Sequence, residues 1–508
     1  VGSRGISRRR LARSYGWGLA LSVVLAVGAA TPAPAAPLKI RTKQISPPSP
    51  FSASGVCGQT VPGFSPGYAQ ETSLAVDPRD PDHILVAWIQ DGRATDVVMA
   101  SRNGGRSFSR VLMPSLSACT GGDFDVASDP GVEFSANGRT AYFSAIVVNI
   151  PENPLSAEGA STGMYAYGSR DAGFSWPAPS VIQGPTNQFW DLPRLTPHPR
   201  KPKVAYYAYN LRQDPPTFST GYSLVAKTTD AGRTWSPPRK MYDPQIKFSW
   251  PGVNRILVND DGSLLNVFPL VHQDPASPEP IPTLEQAVRS VNGGAAWSGP
   301  ITIGSSNGRA VSDPVTQTRL NIYDTYPSQT VAPNGDVYVS WLKPGATNAS
   351  SQVAVARSTD GGRHWRERDI NVNGQAALPT VEVAGDGTVG VLYYIIAPSS
   401  SSGDWPGRVV VSTSRDRGRH WRRHAVAGPF NVLTAGNKAR PCCFLGDYLG
   451  ADSLPNGIAF AFSMGKPVAR NNVDAYFTRV TTSKPGDHKA QAKARKGKRR
   501  KQRSSNAG

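Results

Sequence analysis

The chain lacks helical patterning. Beyond its first 40 residues no long stretch repeats apolar side chains at 3.6-residue spacing, which excludes a helix bundle as the main architecture. With 50 glycines and 45 prolines in 508 residues, backbone breakers are too dense for long helices and suit short strands joined by turns. An all-β chain is therefore expected. Histidine is scarce, at seven residues, and no HExxH pair occurs. A Walker-type phosphate loop is also missing. No metal and no cofactor are expected, and "HQD" at His272–Asp274 reads as a polar loop cluster. The apolar run at Trp17–Ala30 has 14 residues, short of the roughly 20 a membrane span needs.

Acidic residues are few beside basic ones, 36 against 55, for a net charge of +19. The excess sits at the two ends. Five arginines lie within residues 1–13, and residues 484–508 carry a net +9, which leaves +5 for everything between. The N-terminal arginines precede the apolar run, and "APA" at Ala33–Ala35 is a small-x-small cleavage site, so residues 1–35 read as an export signal. "SRRRLAR", with its Arg8–Arg9 pair, resembles a bacterial twin-arginine signal; an ordinary secretion signal is the alternative. The body, 36–483, is then expected outside the cytoplasm. The tail, 484–508, has no aromatic and no large aliphatic residue, so disorder is expected there. Such a tail is either a solvated extension or an attachment to an anionic polymer of the cell envelope. Specific nucleic-acid binding is not expected, because the tail has no aromatic platform.

What the chain does have is a repeat. An eight-residue signature occurs six times: "SRNGGRSF" from Ser101, "SRDAGFSW" from Ser169, "TTDAGRTW" from Thr228, "SVNGGAAW" from Ser290, "STDGGRHW" from Ser358 and "SRDRGRHW" from Ser414. The steps of 68, 59, 62, 68 and 56 residues mark a repeat architecture. Each copy follows an alternating apolar run, which places it in a hairpin turn. The third position (Asn103, Asp171, Asp230, Asn292, Asp360, Asp416) can accept backbone N–H bonds within the turn. The fifth is always glycine, which tolerates positive φ, and the eighth is a large ring available for burial.

This signature resembles the Asp-box, or BNR, repeat of sialidase-like β-propellers. The resemblance implies a propeller fold, and it implies that the box is a structural turn on the face opposite any active site. A second set of turns, of DP, HP or NG/DG type, lies between apolar runs and occurs seven times, from "LAVDPRDPDHILVAW" at Leu74 to "ADSLPNGIAFAFSM" at Ala451. Seven four-stranded blades are the simplest count, against six in sialidases proper. The seventh blade is one strand short, and "LKIRTKQIS" from Leu38 is placed to close the ring. On that model Cys57, Cys119, Cys442 and Cys443 share one face near the closure, and disulfides there are expected, with Cys57 pairing to Cys119 or to one of the adjacent pair.

Function is expected on the face opposite the boxes, in the loops before the inner strands and between strands two and three. Those loops carry acids, arginines and aromatics, a set that suits a sugar. Glu71, Asp191, Asp447 and Tyr448 are the candidate catalytic groups, because a glycosidase needs two carboxylates, or in sialidases a tyrosine nucleophile, with a general acid. Arg194, Arg255, Trp190, Trp250, Tyr326 and Asp324 are the candidate binding groups. The Arg-Ile-Pro of true sialidases does not occur; Gln70, Asp191, Thr325 and Ala377 stand where its arginine would. Two functions fit: a monomeric glycan-recognising propeller that acts as an exo-glycoside hydrolase, and a non-catalytic binding propeller attached to the envelope.

Overall fold

A computed structural model describes residues 38–52, 54–60, 64–150, 161–186, 188–213, 220–273, 281–306, 311–320, 326–345, 350–400, 403–435, 443–465 and 472–482. The expected export signal, 1–35, and the basic tail, 484–508, lie outside them.

The strands run β1 to β29 in chain order, and they build seven antiparallel sheets, each a blade of a propeller. Blade one is β2 (Ala69–Val76), β3 (Ile84–Gln90), β4 (Thr95–Ser101) and β5 (Ser109–Leu112). Blade two starts on β6 (Val126–Phe134), blade three on β10 (Phe189–Pro197), blade five on β19 (Ser328–Val331) and blade six on β23 (Gln375–Val383). The inner strand of blade four is broken into β14 (Ser249–Pro251) and β15 (Arg255–Val258), both pairing with β16 (Leu264–His272). Pro251 and Gly252 fall at that break, where a ring without an N–H and a residue without a side chain interrupt the ladder.

Blade seven takes its strands from both ends of the chain. Its order is β27 (Gly450–Leu454), β28 (Gly457–Gly465), β29 (Val473–Thr482) and then β1 (Leu38–Gln44). The register runs from Leu38 opposite Thr482 to Gln44 opposite Tyr476. Just past it, the buried Ser46 hydroxyl donates to Asp474 at 2.6 Å and accepts from the Ala475 N–H. Without β1 the edge of β29 would be an open template for pairing.

The blades hold together through apolar layers between neighbouring sheets. One layer joins Leu85 and Ala87 of blade one to Phe143, Tyr167 and Trp176 of blade two. The six boxes sit between strands three and four, and their chemistry is the same each time. In the third copy the Thr228 hydroxyl donates to Asp230 and accepts from the Gly232 N–H at 3.0 Å, while Asp230 accepts from the Arg233 and Thr234 N–H groups. The glycines at the fifth position all have φ between 79° and 92°. Asp171 and Asp230 are held at about 2; burial opposes the charge, but hydroxyl and backbone donors outweigh it. Asp360 and Asp416 are held lower still by the same kind of donors, to which the rings of His364 and His420 add. The box residues are thus fully used in making turns.

Cys57 is bonded to Cys119, tying the short helix at Val56–Thr60 to the 3-10 turn at Ala118–Thr120. Cys443 is also disulfide-bonded, and Cys442 lies outside the described residues.

Candidate active site at the mouth of the central channel

The inner strands enter from the face opposite the boxes, and four of them carry the same irregularity. Register shifts occur between Gln70 and Ser73, Ser128 and Gly131, Asp191 and Arg194, and Ala377 and Thr380. The residue inside each bulge has positive φ: Glu71 60°, Asp129 59°, Leu192 53° and Leu378 51°. L-residues adopt that conformation at a cost, and bulges are a known means of re-aiming side chains next to functional sites. In three of the four a proline follows, so "SDPG", "DLPR" and "ALPT" are one structural word.

These bulges assemble a charged cluster. The Asp191 carboxylate takes a short ion pair from Arg212, at the far end of β11 (Ala205–Gln213), and also accepts from the Leu192 N–H at 3.1 Å. Asp129 lies against Asp191. Burial, working against the Arg212 charge and with the Asp129 charge, raises Asp191 to about 6. Asp96, at the start of β4, is fully buried behind Asp129, and neither of its carboxyl oxygens has a hydrogen-bond partner among the described residues. Burial first, and the Asp129 charge second, push it well above the usual carboxylate range. On the adjoining side the Arg194 guanidinium covers the Tyr448 ring at 3.6 Å, and Glu71 accepts the Asp447 N–H at 3.0 Å. The Tyr448 hydroxyl donates to the Pro130 carbonyl at 3.2 Å. Burial and the neighbouring Glu71 raise Tyr448 well above its ordinary value, with Arg194 opposing.

The cluster stands at the mouth of a narrow cavity of about 70 Å³ on the propeller axis, lined by Arg194, Tyr448, Asp447, Glu133, Arg255 and Tyr326 among others. Deeper in the bore, Arg255 pairs with Glu133 at 3.1 Å. Burial raises Glu133 to about 8, offset in part by Arg255. Glu382, also at about 8, and Asp452, at about 6, are raised by burial too.

The structure therefore brings Glu71, Asp191, Asp447, Tyr448 and Arg194 together and puts Arg255 and Tyr326 further along the same bore. Asp324 falls outside the described residues. The two tryptophans correct the expectation of sugar stacking: Trp190 and Trp250 are 7% and 3% exposed. Trp190 packs edge-on to Tyr209 and donates to the Thr186 hydroxyl, and Trp250, on blade four, lies near Arg212 of blade three. Their rings are spent on blade packing. Reading the loops alone missed Asp96 and Arg212, which lie at strand ends. Their signal was a charge inside an otherwise apolar run, in "TDVVMAS" and "AYYAYNLRQ". Among the described residues no cluster of His, Cys, Asp and Glu is arranged to hold a metal, and no helix is long and apolar enough to cross a membrane.

Box turns and ring define a β-propeller of seven four-stranded blades. Residues 225–439 match the family model described as a BNR repeat-like domain. Among solved structures, the chain is similar to a Hadza microbial sialidase, with 13% identity, coverage of 79% of this chain and 73% of that one, and a TM-score of 0.44. It is also similar to an α-L-arabinanase of Penicillium chrysogenum complexed with arabinobiose, at 15% identity, 70% and 97% coverage and a TM-score of 0.44. An ulvan lyase of a polysaccharide lyase family matches at 11% identity, 84% and 99% coverage and a TM-score of 0.47. No curated protein matches the chain.

Proposed function

We propose that this is an exported propeller that binds a glycan at the channel mouth and hydrolyses a terminal glycosidic bond there. One observation carries the reading: Asp191, with a proton affinity lifted to about 6, contacts a second carboxyl, Asp129, beside the Glu71–Tyr448–Arg194 group. A carboxyl that holds its proton near neutral pH can donate it to a leaving glycosidic oxygen. Glu71 and Tyr448 supply the opposite side, an acid and a phenol in reach of one another's charge, as the sialidase-like resemblance implies for the attacking group. Export rests on the arginine-rich, apolar, "APA"-ended leader.

The burial of Asp96, Asp129, Asp191 and Asp447, each at 8% exposure or less, favours a second reading, a binding propeller that does no chemistry. One assay separates them. Purified chain from Ala36 onward is incubated with mixed glycoconjugates and the released sugars are read by mass spectrometry. Hydrolysis predicts release of a defined sugar, lost in Asp191→Asn and in Tyr448→Phe. No release across pH 4–9, with retained glycan binding, would leave the binding propeller.

A further inference from the structure

The charges of the cluster constrain what the site can take, an inference that rests on the glycan reading above. Among the described residues three arginines face the channel or its mouth; two are ion-paired to protein acids, and the third, Arg194, has one buried guanidinium nitrogen without a hydrogen-bond partner. Arg212 is ion-paired to Asp191, and its guanidinium also lies 4.4 Å from the Phe189 ring centroid. Arg255 is ion-paired to Glu133 and lies within the electrostatic reach of Glu382 and Asp452. Arg194 lies flat on Tyr448 and donates to its neighbour's carbonyl, that of Pro193, at 2.9 Å, with Glu71 and Asp129 close by. At the mouth four acidic side chains, Glu71, Asp129, Asp191 and Asp447, therefore stand against two guanidinium groups, with Asp96 behind them. A ligand carboxylate entering here would have to displace Asp191 to reach Arg212, and at Arg194 it would meet the like charge of Glu71 and Asp129.

We infer that the site selects sugars that carry no acidic group, neutral sugars or amino sugars, and that the Asp191–Arg212 pair is the device that rejects carboxylated ones. The bulge word makes this physical. "DLPR" places an acid at the bulge of the inner strand, and that acid neutralises the nearest cation from the next strand. Ammonium groups of amino sugars gain from the same surplus of negative charge.

The test is a binding panel read by isothermal calorimetry at 50 and 500 mM salt. The probes are oligosaccharides of matched linkage that end in a neutral hexose or pentose, an N-acetylhexosamine, a free hexosamine, a uronic acid or an N-acetylneuraminic acid. Wild-type chain is expected to bind its best neutral or amino-sugar probe at least about tenfold tighter than the matched acidic probe, since one opposed charge pair of ~1.4 kcal/mol is a factor of ten. Asp191→Asn, isosteric and checked for folding by circular dichroism, leaves Arg212 uncompensated and should shrink that ratio; the wild-type panel decides even if the variant does not fold. Preferential binding of an acidic probe would overturn the inference and leave the glycan reading standing. Binding of no probe in any class would overturn both.

Discussion

The box glycines offer a graded test of how the blades are coupled. All six at the fifth position have φ near 80–90°, so replacing any one with alanine carries the same backbone cost, about 1–2 kcal/mol. What differs is the space a methyl group would enter. At Gly105 the new carbon would stand 2.2 Å from the Phe477 ring of blade seven, at Gly362 2.6 Å from Leu265 of blade four, and at Gly173 2.7 Å from Leu85 of blade one. Gly232 approaches Tyr142 to 3.1 Å, while Gly418 meets only its own box tryptophan at 3.4 Å and Gly294 meets Leu264 at 3.7 Å. Overpacking a tight core adds roughly 1–3 kcal/mol. The Gly→Ala series should therefore split. Gly105, Gly362 and Gly173 are expected to lose ~2–5 kcal/mol, and Gly418 and Gly294 ~1–2 kcal/mol, with Gly232 between. Urea midpoints at constant m read the difference. Six equal losses, within about 0.5 kcal/mol, would show that only the turn conformation matters and that the boxes do not lock neighbouring blades.

Glu133, near 8 when folded against an ordinary 4.5, binds its proton more tightly in the fold. Its contribution to stability is full below pH 4.5 and is lost as the pH rises to about 8, so wild type should weaken relative to Glu133→Gln over that window in pH-dependent melts. A parallel course for the two proteins would refute the raised proton affinity of Glu133. Asp171, lowered to about 2, behaves oppositely: its stabilisation is present above 3.8 and lost as the pH falls through 2. Because the box is exposed, Asp171→Asn should cost no more than about 1 kcal/mol at pH 7, measured by urea titration. Reducing the Cys57–Cys119 bridge, which spans 62 residues, should cost about 4 kcal/mol by chain entropy, and a melting curve indifferent to reductant would count against it.

Much of the architecture was legible because repetition averages out local ambiguity. The box fixed the turn between strands three and four, and the second set of turns gave seven blades where the boxes alone give six. The closing strand could be placed at Leu38 because an incomplete last blade leaves an edge that must be covered. The site was only half legible. Glu71, Asp191 and Tyr448 announced themselves as charged or phenolic residues in loops near inner-strand starts. Asp96 and Arg212 did not, because strand alternation says which face a residue takes and not which blade it meets. Trp190 and Trp250 misled for a related reason: a tryptophan at a strand end is equally at home on a rim or between two sheets, and its sequence neighbours are the same in both cases.

The position of β1 has a consequence for how the molecule is held. Leu38 lies opposite Thr482, so the chain enters and leaves the ring side by side. In every complete blade strand three ends at the box turn, and β29 is strand three of blade seven. Both exits therefore open on the box face, and the Thr482 hydroxyl meets Asp386 in a hairpin turn of that same face. A tether at either end, or at both, pulls on one side of the disc and leaves the channel mouth turned outward. Attachment and access are separated by the thickness of a blade, so neither an anchoring partner nor a fused domain needs to compete with whatever enters the bore.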